Sequence, residues 1–233
     1  MKTAIILFTL SLFSLFVYSQ GSQPVVLISG KVVNERTMEP LEARVVWEIL
    51  PDGTEAGIAR TDPATGEYKI ILPFGKNYGY LALAEGFYSV TKSLDVSDLN
   101  EYKEIDEQNL FMAPVKESQV VRLNNIFFKK KTAELLPESN QELCRFVEFL
   151  KVNKKITIEL AGHTDNKGEP AELLKLSQDR AQAVADYIIS KGIKADRLVV
   201  KGYGLTRPIG FNKDEDGREM NRRIEFKVLS VGK

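Results

Sequence analysis

Residues 156–192 read ITIELAGHTDNKGEPAELLKLSQDRAQAVADYIISKG, and the order of patterns in this stretch decides the fold of the second half. Ile156-Thr157-Ile158-Glu159-Leu160 alternates with period two, as a half-buried strand does. Ala181, Val184, Ala185 and Ile188 recur at helical spacing, and Lys191-Gly192 supplies a stop. A strand, a polar loop and a helix in that order make one α/β unit. The loop between them, Gly162-His163-Thr164-Asp165-Asn166-Lys167-Gly168, sits after the strand's carboxyl end, where ligands of open α/β sheets collect.

Working outward, Val120–Leu123 with Ile126-Phe127-Phe128 reads as a strand. Pro137 opens a helix carrying Leu143, Phe146, Val147 and Leu150, since proline is tolerated in a first helical turn. Arg197–Val200 and Arg222–Leu229 read as further strands, which predicts a two-layer βαβαββ domain over residues 118–233 with helices on one sheet face. Cys144 beside the first helix's stripe reads as a small buried hydrophobe.

The first half has a different grammar. Val25–Val33, Ala43–Ile49, Tyr68–Leu72, Tyr78–Ala84 and Ser89–Leu94 are short runs rich in β-branched and aromatic residues, separated by turn residues about every ten positions. This predicts an all-β sandwich over residues 20–112, with 113–117 as a linker. Trp47 alternates with Val45 and Ile49 and reads as core. Asp52, Asp62 and Glu67 lack the spacing of a calcium loop.

Met1-Lys2 followed by the apolar run Ile5–Val17 and small Ser19 reads as a signal peptide of residues 1–19, cleaved before Gln20. Its 13 apolar-rich residues fall short of the roughly 20 that a membrane-spanning helix needs. No cysteine follows it to carry a lipid, and no second long apolar run follows, so the exported chain is expected to have no transmembrane segment.

Composition narrows the function. The 233 residues are 43% hydrophobic and 27% charged, with one Cys and one His. That excludes an internal disulfide framework and multi-cysteine or multi-histidine metal centres, so neither a metal nor another cofactor is expected. The formal net charge is zero, but residues 20–115 carry 8 basic and 15 acidic side chains, and residues 116–233 carry 23 and 17. The halves therefore suit different partners. A mild positive excess without an aromatic platform does not make a nucleic-acid surface.

Asp165 lies in the loop, and Arg180 stands at the edge of the second helix's apolar stripe, where a partly shielded guanidinium needs a partner. If the helix doubles back over the strand, the two face one gap. A zwitterion would match them, its ammonium on Asp165 and its carboxylate on Arg180. The same two residues could instead pair with each other as a structural salt bridge, and the residues alone leave both readings open. Thr164 and Asn166 flank Asp165. His163 reads as a packed residue bonded to backbone. Of Arg222 and Arg223, adjacent at the start of the last strand, alternation lets only one reach the crevice, leaving the other on the surface. Asp165 and Glu169 fall in one loop and give no opposed carboxylates of the glycosidase kind.

Four motifs in order are similar to the OmpA C-terminal-like peptidoglycan-binding family: Gly162–Gly168, Leu176-Ser177-Gln178-Asp179-Arg180-Ala181, Lys201-Gly202-Tyr203-Gly204 with Pro208, and Gly217–Arg223. Phe127-Phe128 with Thr132–Leu135 fits the family's opening strand. The resemblance implies a non-enzymatic module in the periplasm that holds the peptide stem of peptidoglycan at diaminopimelate. Its Asp and Arg binding pair falls on Asp165 and Arg180. Where that family usually has an Asn in the site, this chain has Leu173.

Residues 25–95 resemble the carboxypeptidase regulatory-like (transthyretin-like) sandwich family, through Ser29–Val33, Glu39–Val45, Thr65-Gly66-Glu67-Tyr68, Leu72–Gly75 and Ala84–Phe87. This implies a structural or presentation module with a protein partner of its own. An alternative expectation follows: an envelope or secretion-assembly protein that acts through the sandwich, with peptidoglycan binding weakened by Leu173.

Overall fold

The computed structural model describes residues 24–232; the expected signal peptide lies outside them. The strands of the first half are β1 (Val25–Asn34), β2 (Arg44–Ile49), β3 (Thr54–Arg60), β4 (Glu67–Pro73), β5 (Asn77–Leu83), β6 (Phe87–Tyr88), β7 (Lys92–Asp95), β8 (Lys103–Ile105) and β9 (Leu110–Pro114). Alternation governs them: β1 buries Val26, Ile28 and Val32 and turns Leu27, Ser29 and Lys31 outward. One sheet runs β4-β1-β9-β6, with β8 also on β1, and the other runs β3-β2-β5-β7. Their apolar faces share one core, in which fully buried Trp47 stacks on Tyr80 at 4.2 Å.

Of the expected strand Ser89–Leu94, only Lys92–Leu94 is strand, in β7; β6 ends before it and pairs on the other sheet. Strands β3, β6, β8 and β9 have no counterpart in the sequence reading. β3 (TEAGIAR) is poor in β-branched residues and forms because β2 offers it a partner, with Val45 opposite Ala59. β9 pairs in parallel with β1, Val32 opposite Leu110, a contact between segments far apart in the chain. It runs to Pro114, and β10 begins at Val120.

The second half contains β10 (Val120–Leu123), α1 (Asn140–Val152), β11 (Thr157–His163), α2 (Pro170–Ser190), β12 (Leu198–Gly204), α3 (Glu215–Asn221) and β13 (Ile224–Ser230). A 3-10 turn, Pro137–Ser139, leads into α1. The sheet order is β10-β13-β11-β12; β11 and β12 are parallel, and β13 is antiparallel to both its neighbours. The stripes of α1 and α2 pack on Ile158, Leu160, Ile224, Phe226 and Val228 of the sheet. Burying each large side chain of this kind contributes about 1.5–3 kcal/mol.

Two features depart from expectation. The short helix α3 has no counterpart in the sequence reading because GREMN carries no apolar stripe; Asp214 caps it by accepting from the Gly217 N–H at 2.7 Å. Cys144 is exposed rather than buried, with its sulfur 3.4 Å from the Tyr187 hydroxyl.

The halves meet through chemistry of two kinds. Glu48 of β2 accepts from Arg145 Nε at 2.9 Å and from Gln141 at 3.0 Å, both on α1. Tyr88 of β6 leaves its own sheet's core and meets Phe149 edge-on at 5.6 Å and Phe226 at 6.1 Å.

Candidate binding site

The loop after β11 is placed by close packing. α2 crosses β11 and β12 at two glycines. A Cβ at Gly162 would run into the Ser177 carbonyl, and one at Gly202 would lie 2.5 Å from the Gln178 backbone nitrogen. Polar bonds lock the crossing: Ser177 Oγ accepts from the Gly204 N–H at 2.9 Å and donates to the Leu174 carbonyl at 2.7 Å. Gln178 Oε1 accepts from the Gly202 N–H at 2.6 Å. Arg180 lies three residues after Ser177 and so emerges on a neighbouring part of that face.

His163 ends β11, its N–H bonded to the Arg223 carbonyl at 3.0 Å, and the Thr164 N–H bonds the Gly204 carbonyl at 2.9 Å. These bonds carry Asp165 to the sheet's end. Asp165 is buried (8% exposed); its Oδ1 accepts from the Lys167 N–H at 2.9 Å, closing the loop on itself, and its Oδ2 accepts from Arg222 Nη1 at 2.8 Å. The Thr164 hydroxyl is buried without a hydrogen-bond partner, whereas Asn166 is exposed.

Arg180 makes no ion pair with Asp165. Its Nε donates to the Thr132 carbonyl at 2.9 Å, and its guanidinium lies 4.9 Å from the centre of the Phe128 ring. Burial lowers its pKa from the ordinary value, and the Arg222 cation lowers it further, while Asp165 opposes both. The three charges therefore share one neighbourhood, with Arg222 as the ionic partner of Asp165.

Arg222 also donates Nη2 to Glu215 at 2.8 Å. Burial lowers its pKa, but the hydrogen bonds to Asp165 and Glu215 outweigh that and raise it. Glu215 is held down to about 2 by its bonds to Arg218 and Arg222. The second arginine of the pair was expected on the surface. Arg223 is instead 6% exposed, its Nε bonded to Glu225 at 2.5 Å and its Nη2 to the Arg207 carbonyl at 3.2 Å. The alternation argument fails because β13 begins only at Ile224, and Arg222 terminates α3.

His163 is 2% exposed, stacks on Tyr203 at 5.4 Å and sits with Nε2 3.3 Å from Glu225. It is packed, as expected, but against a carboxylate rather than backbone. Leu173 is 7% exposed and sits against Gly168, so it packs the loop with carbon where an amide could have donated.

An open cavity of about 680 Å³ lies beside the site, bordered by Arg180, Arg222, Arg223, Phe128 and β10. Asp165 does not border it; Arg222 stands at the boundary. Among the described residues no group of His, Cys, Asp and Glu could hold a metal ion, and no helix is long and apolar enough to cross a membrane.

Sequence reasoning missed Glu215 and Asn221. Asn221 is fully buried and holds the loop before α3, its Oδ1 accepting from the Ile209 and Gly210 N–H groups at 2.7 and 2.9 Å. The signal for this segment was Asp214 three residues before Gly217, a helix N-cap pattern.

Residues 127–222 match the OmpA family, and this part of the chain is an OmpA-like domain. Outer membrane protein A of Bordetella avium is 35% identical over 116 residues, covering 50% of this chain and 60% of that protein. The peptidoglycan-binding protein ArfA of Mycobacterium tuberculosis is 35% identical over 103 residues, covering 44% of this chain and 32% of that one. Among solved structures, the cell wall anchor of the T6SS from Pseudomonas aeruginosa is 30% identical, with a TM-score of 0.42, covering 48% of this chain and 79% of that one. The chain spans less than two thirds of the length of either curated relative.

Proposed function

We propose that this is an exported, non-enzymatic protein of the cell envelope that binds peptidoglycan non-covalently through residues 118–233. Its place is the periplasm, against the cell wall. The ligand group is the zwitterionic end of diaminopimelate in the peptide stem, with its carboxylate on Arg180 and its ammonium on Asp165. The observation that carries this reading is the half-buried Arg180: a cation without a carboxylate partner, bordering a cavity, with the Asp165–Arg222 pair close enough to shift its pKa.

A carboxylate on Arg180 would complete a charge-assisted pair that the protein itself leaves open. Asp165 has acceptor capacity for an ammonium as well. A carboxylate offers about four acceptor positions, and hydrogen bonds from Lys167 N–H and Arg222 occupy two. Thr164, with its unsatisfied hydroxyl, and exposed Asn166 stand beside Asp165. The match of residues 127–222 to the OmpA family and the name of the ArfA relative support the same ligand.

The first half, read as a carboxypeptidase regulatory-like sandwich, would hold a protein partner or act as a spacer. A second reading, in which that half does the work and wall binding is weak, draws on one observation: Leu173 puts a buried apolar side chain beside the binding loop.

The deciding experiment is co-sedimentation of the full chain with purified sacculi. Asp165→Ala and Arg180→Ala should each abolish sedimentation while the circular dichroism stays unchanged. Truncating one side of a shielded charge pair costs about 2–5 kcal/mol, enough to erase a micromolar interaction. Retention of both variants at the wild-type level would refute the site.

A further inference from the structure

The cavity beside Arg180 holds more than one amino-acid end. Its roughly 680 Å³ falls inside the range of about 300–1,000 Å³ typical of pockets that enclose drug-sized ligands. Four arginines border it, Arg122, Arg180, Arg222 and Arg223, against two acidic residues, Glu138 and Glu219. Both carboxylates are exposed, where solvent and salt screen them.

The four cations differ in what they already hold. Arg222 is taken by Asp165 and Glu215, and Arg223 by Glu225 and backbone carbonyls. Arg180 holds the Thr132 carbonyl and rests on Phe128. Arg122, on the edge strand β10, makes no hydrogen bond or ion pair among the described residues, and its Nε is buried with no acceptor. Its cross-strand neighbour, directly opposite in register, is Glu225. A carboxylate there is the natural partner for an arginine. Glu225, however, is committed elsewhere: its oxygens lie 2.5 Å from Arg223 Nε and 3.3 Å from His163 Nε2. The interactions that hold its pKa down to about 2 come from His163 and Arg223, and Arg122 contributes nothing resolved to them.

A buried guanidinium N–H with no acceptor is costly, and unsatisfied groups of this kind mark places where a partner is missing. We infer that Arg122 is a second anion subsite of the same cavity, receiving a carboxylate of the bound ligand some distance from its zwitterionic end. In a peptidoglycan stem that group is the free α-carboxylate of the glutamate next to diaminopimelate. This rests on the reading of Arg180 given above. It makes the ligand an acidic peptide rather than a single amino acid, and it makes the site selective for stems whose glutamate is not amidated.

The test is calorimetric titration of the full chain with three probes: diaminopimelate, a stem tripeptide with the free glutamate α-carboxylate, and the same tripeptide amidated at that position. Wild type should bind the free acid about tenfold more tightly than the amide, the scale of one charge-assisted contact. Arg122→Gln should erase that preference and leave the affinity for diaminopimelate unchanged, which also shows that the variant is folded. Arg122→Lys should keep part of the preference. Equal binding of the two peptides by wild type, or a preserved preference in Arg122→Gln, overturns the Arg122 assignment while leaving the Arg180 site standing. Failure of wild type to bind any of the three overturns both.

Discussion

Arg222, and not Arg180, neutralises Asp165: Arg222 Nη1 lies 2.8 Å from Asp165 Oδ2. The two residues are 57 positions apart and are brought together by α3, which ends at Asn221 and turns Arg222 back towards the loop after β11. Arg180 is left without a carboxylate, which is the state a ligand-binding cation needs. In the proposed site Arg222 thus positions Asp165. Its side chain is about a third exposed, and ion pairs of that exposure contribute about 0–1 kcal/mol. Arg222→Ala should therefore weaken diaminopimelate binding by less than about fivefold, against complete loss in Arg180→Ala. Calorimetry on the two variants separates these roles.

Leu173 gives a prediction of opposite sign for binding and stability. It is buried against Gly168, so Leu173→Asn trades packed carbon for an amide in the binding loop. Denaturant titration should show a loss of about 1–3 kcal/mol, the cost of a buried polar group with incomplete partners plus lost packing. Binding to sacculi should strengthen. Unchanged binding in a folded Leu173→Asn protein would show that an amide at this position adds no contact.

Acid should loosen the second half through Glu225. The close approach of His163 leads in holding its pKa down to about 2, against burial, and Arg223 adds to it. A carboxylate with a lowered folded pKa stabilises the fold above its unfolded pKa, near 4.5, and that contribution is lost as pH falls from there towards 2. The melting temperature of wild type should drop across this window. Glu225→Gln should start lower at neutral pH and fall less between pH 4.5 and 2.

The junction of the halves should respond to Arg145. This side chain is 12% exposed and sits between Glu48 of the first half and Glu142 of its own helix, whose pKa burial raises despite the nearby cation. Arg145→Ala leaves two carboxylates shielded without a counter-charge and should cost about 3 kcal/mol. In calorimetric scans the wild type should unfold as one transition and Arg145→Ala as two, because the ionic tie between the halves is gone. A single transition in both would assign the coupling to the Tyr88 aromatic contacts instead.

Much of the chain was legible because its signals are local. The stripe of α2 and its stop at Lys191-Gly192 depend only on neighbours within a few residues, as do the alternating strands β1, β2 and β11. The elements that escaped reading lack such signals. β3 is weak in propensity and exists through its pairing with β2, β9 through a parallel register with distant β1, and α3 through one cap. Exposed Cys144 and buried Arg223 were misplaced for the same reason: burial depends on what arrives from elsewhere in the chain.

By itself the amino-acid order determined which segments could be strand or helix, that Gly162–Gly168 follows a strand's carboxyl end, and that Asp165 and Arg180 are candidates for one site. Periodicity and turn chemistry suffice for that, because they act over a few residues. Only the tertiary structure decided the pairing of charges. Arg222 reaches Asp165, Glu225 takes Arg223, and Arg180 and Arg122 are left open at one cavity. The physical reason is that an ion pair depends on separation in space, which 57 intervening residues do not reveal until the sheet and α3 fold them together.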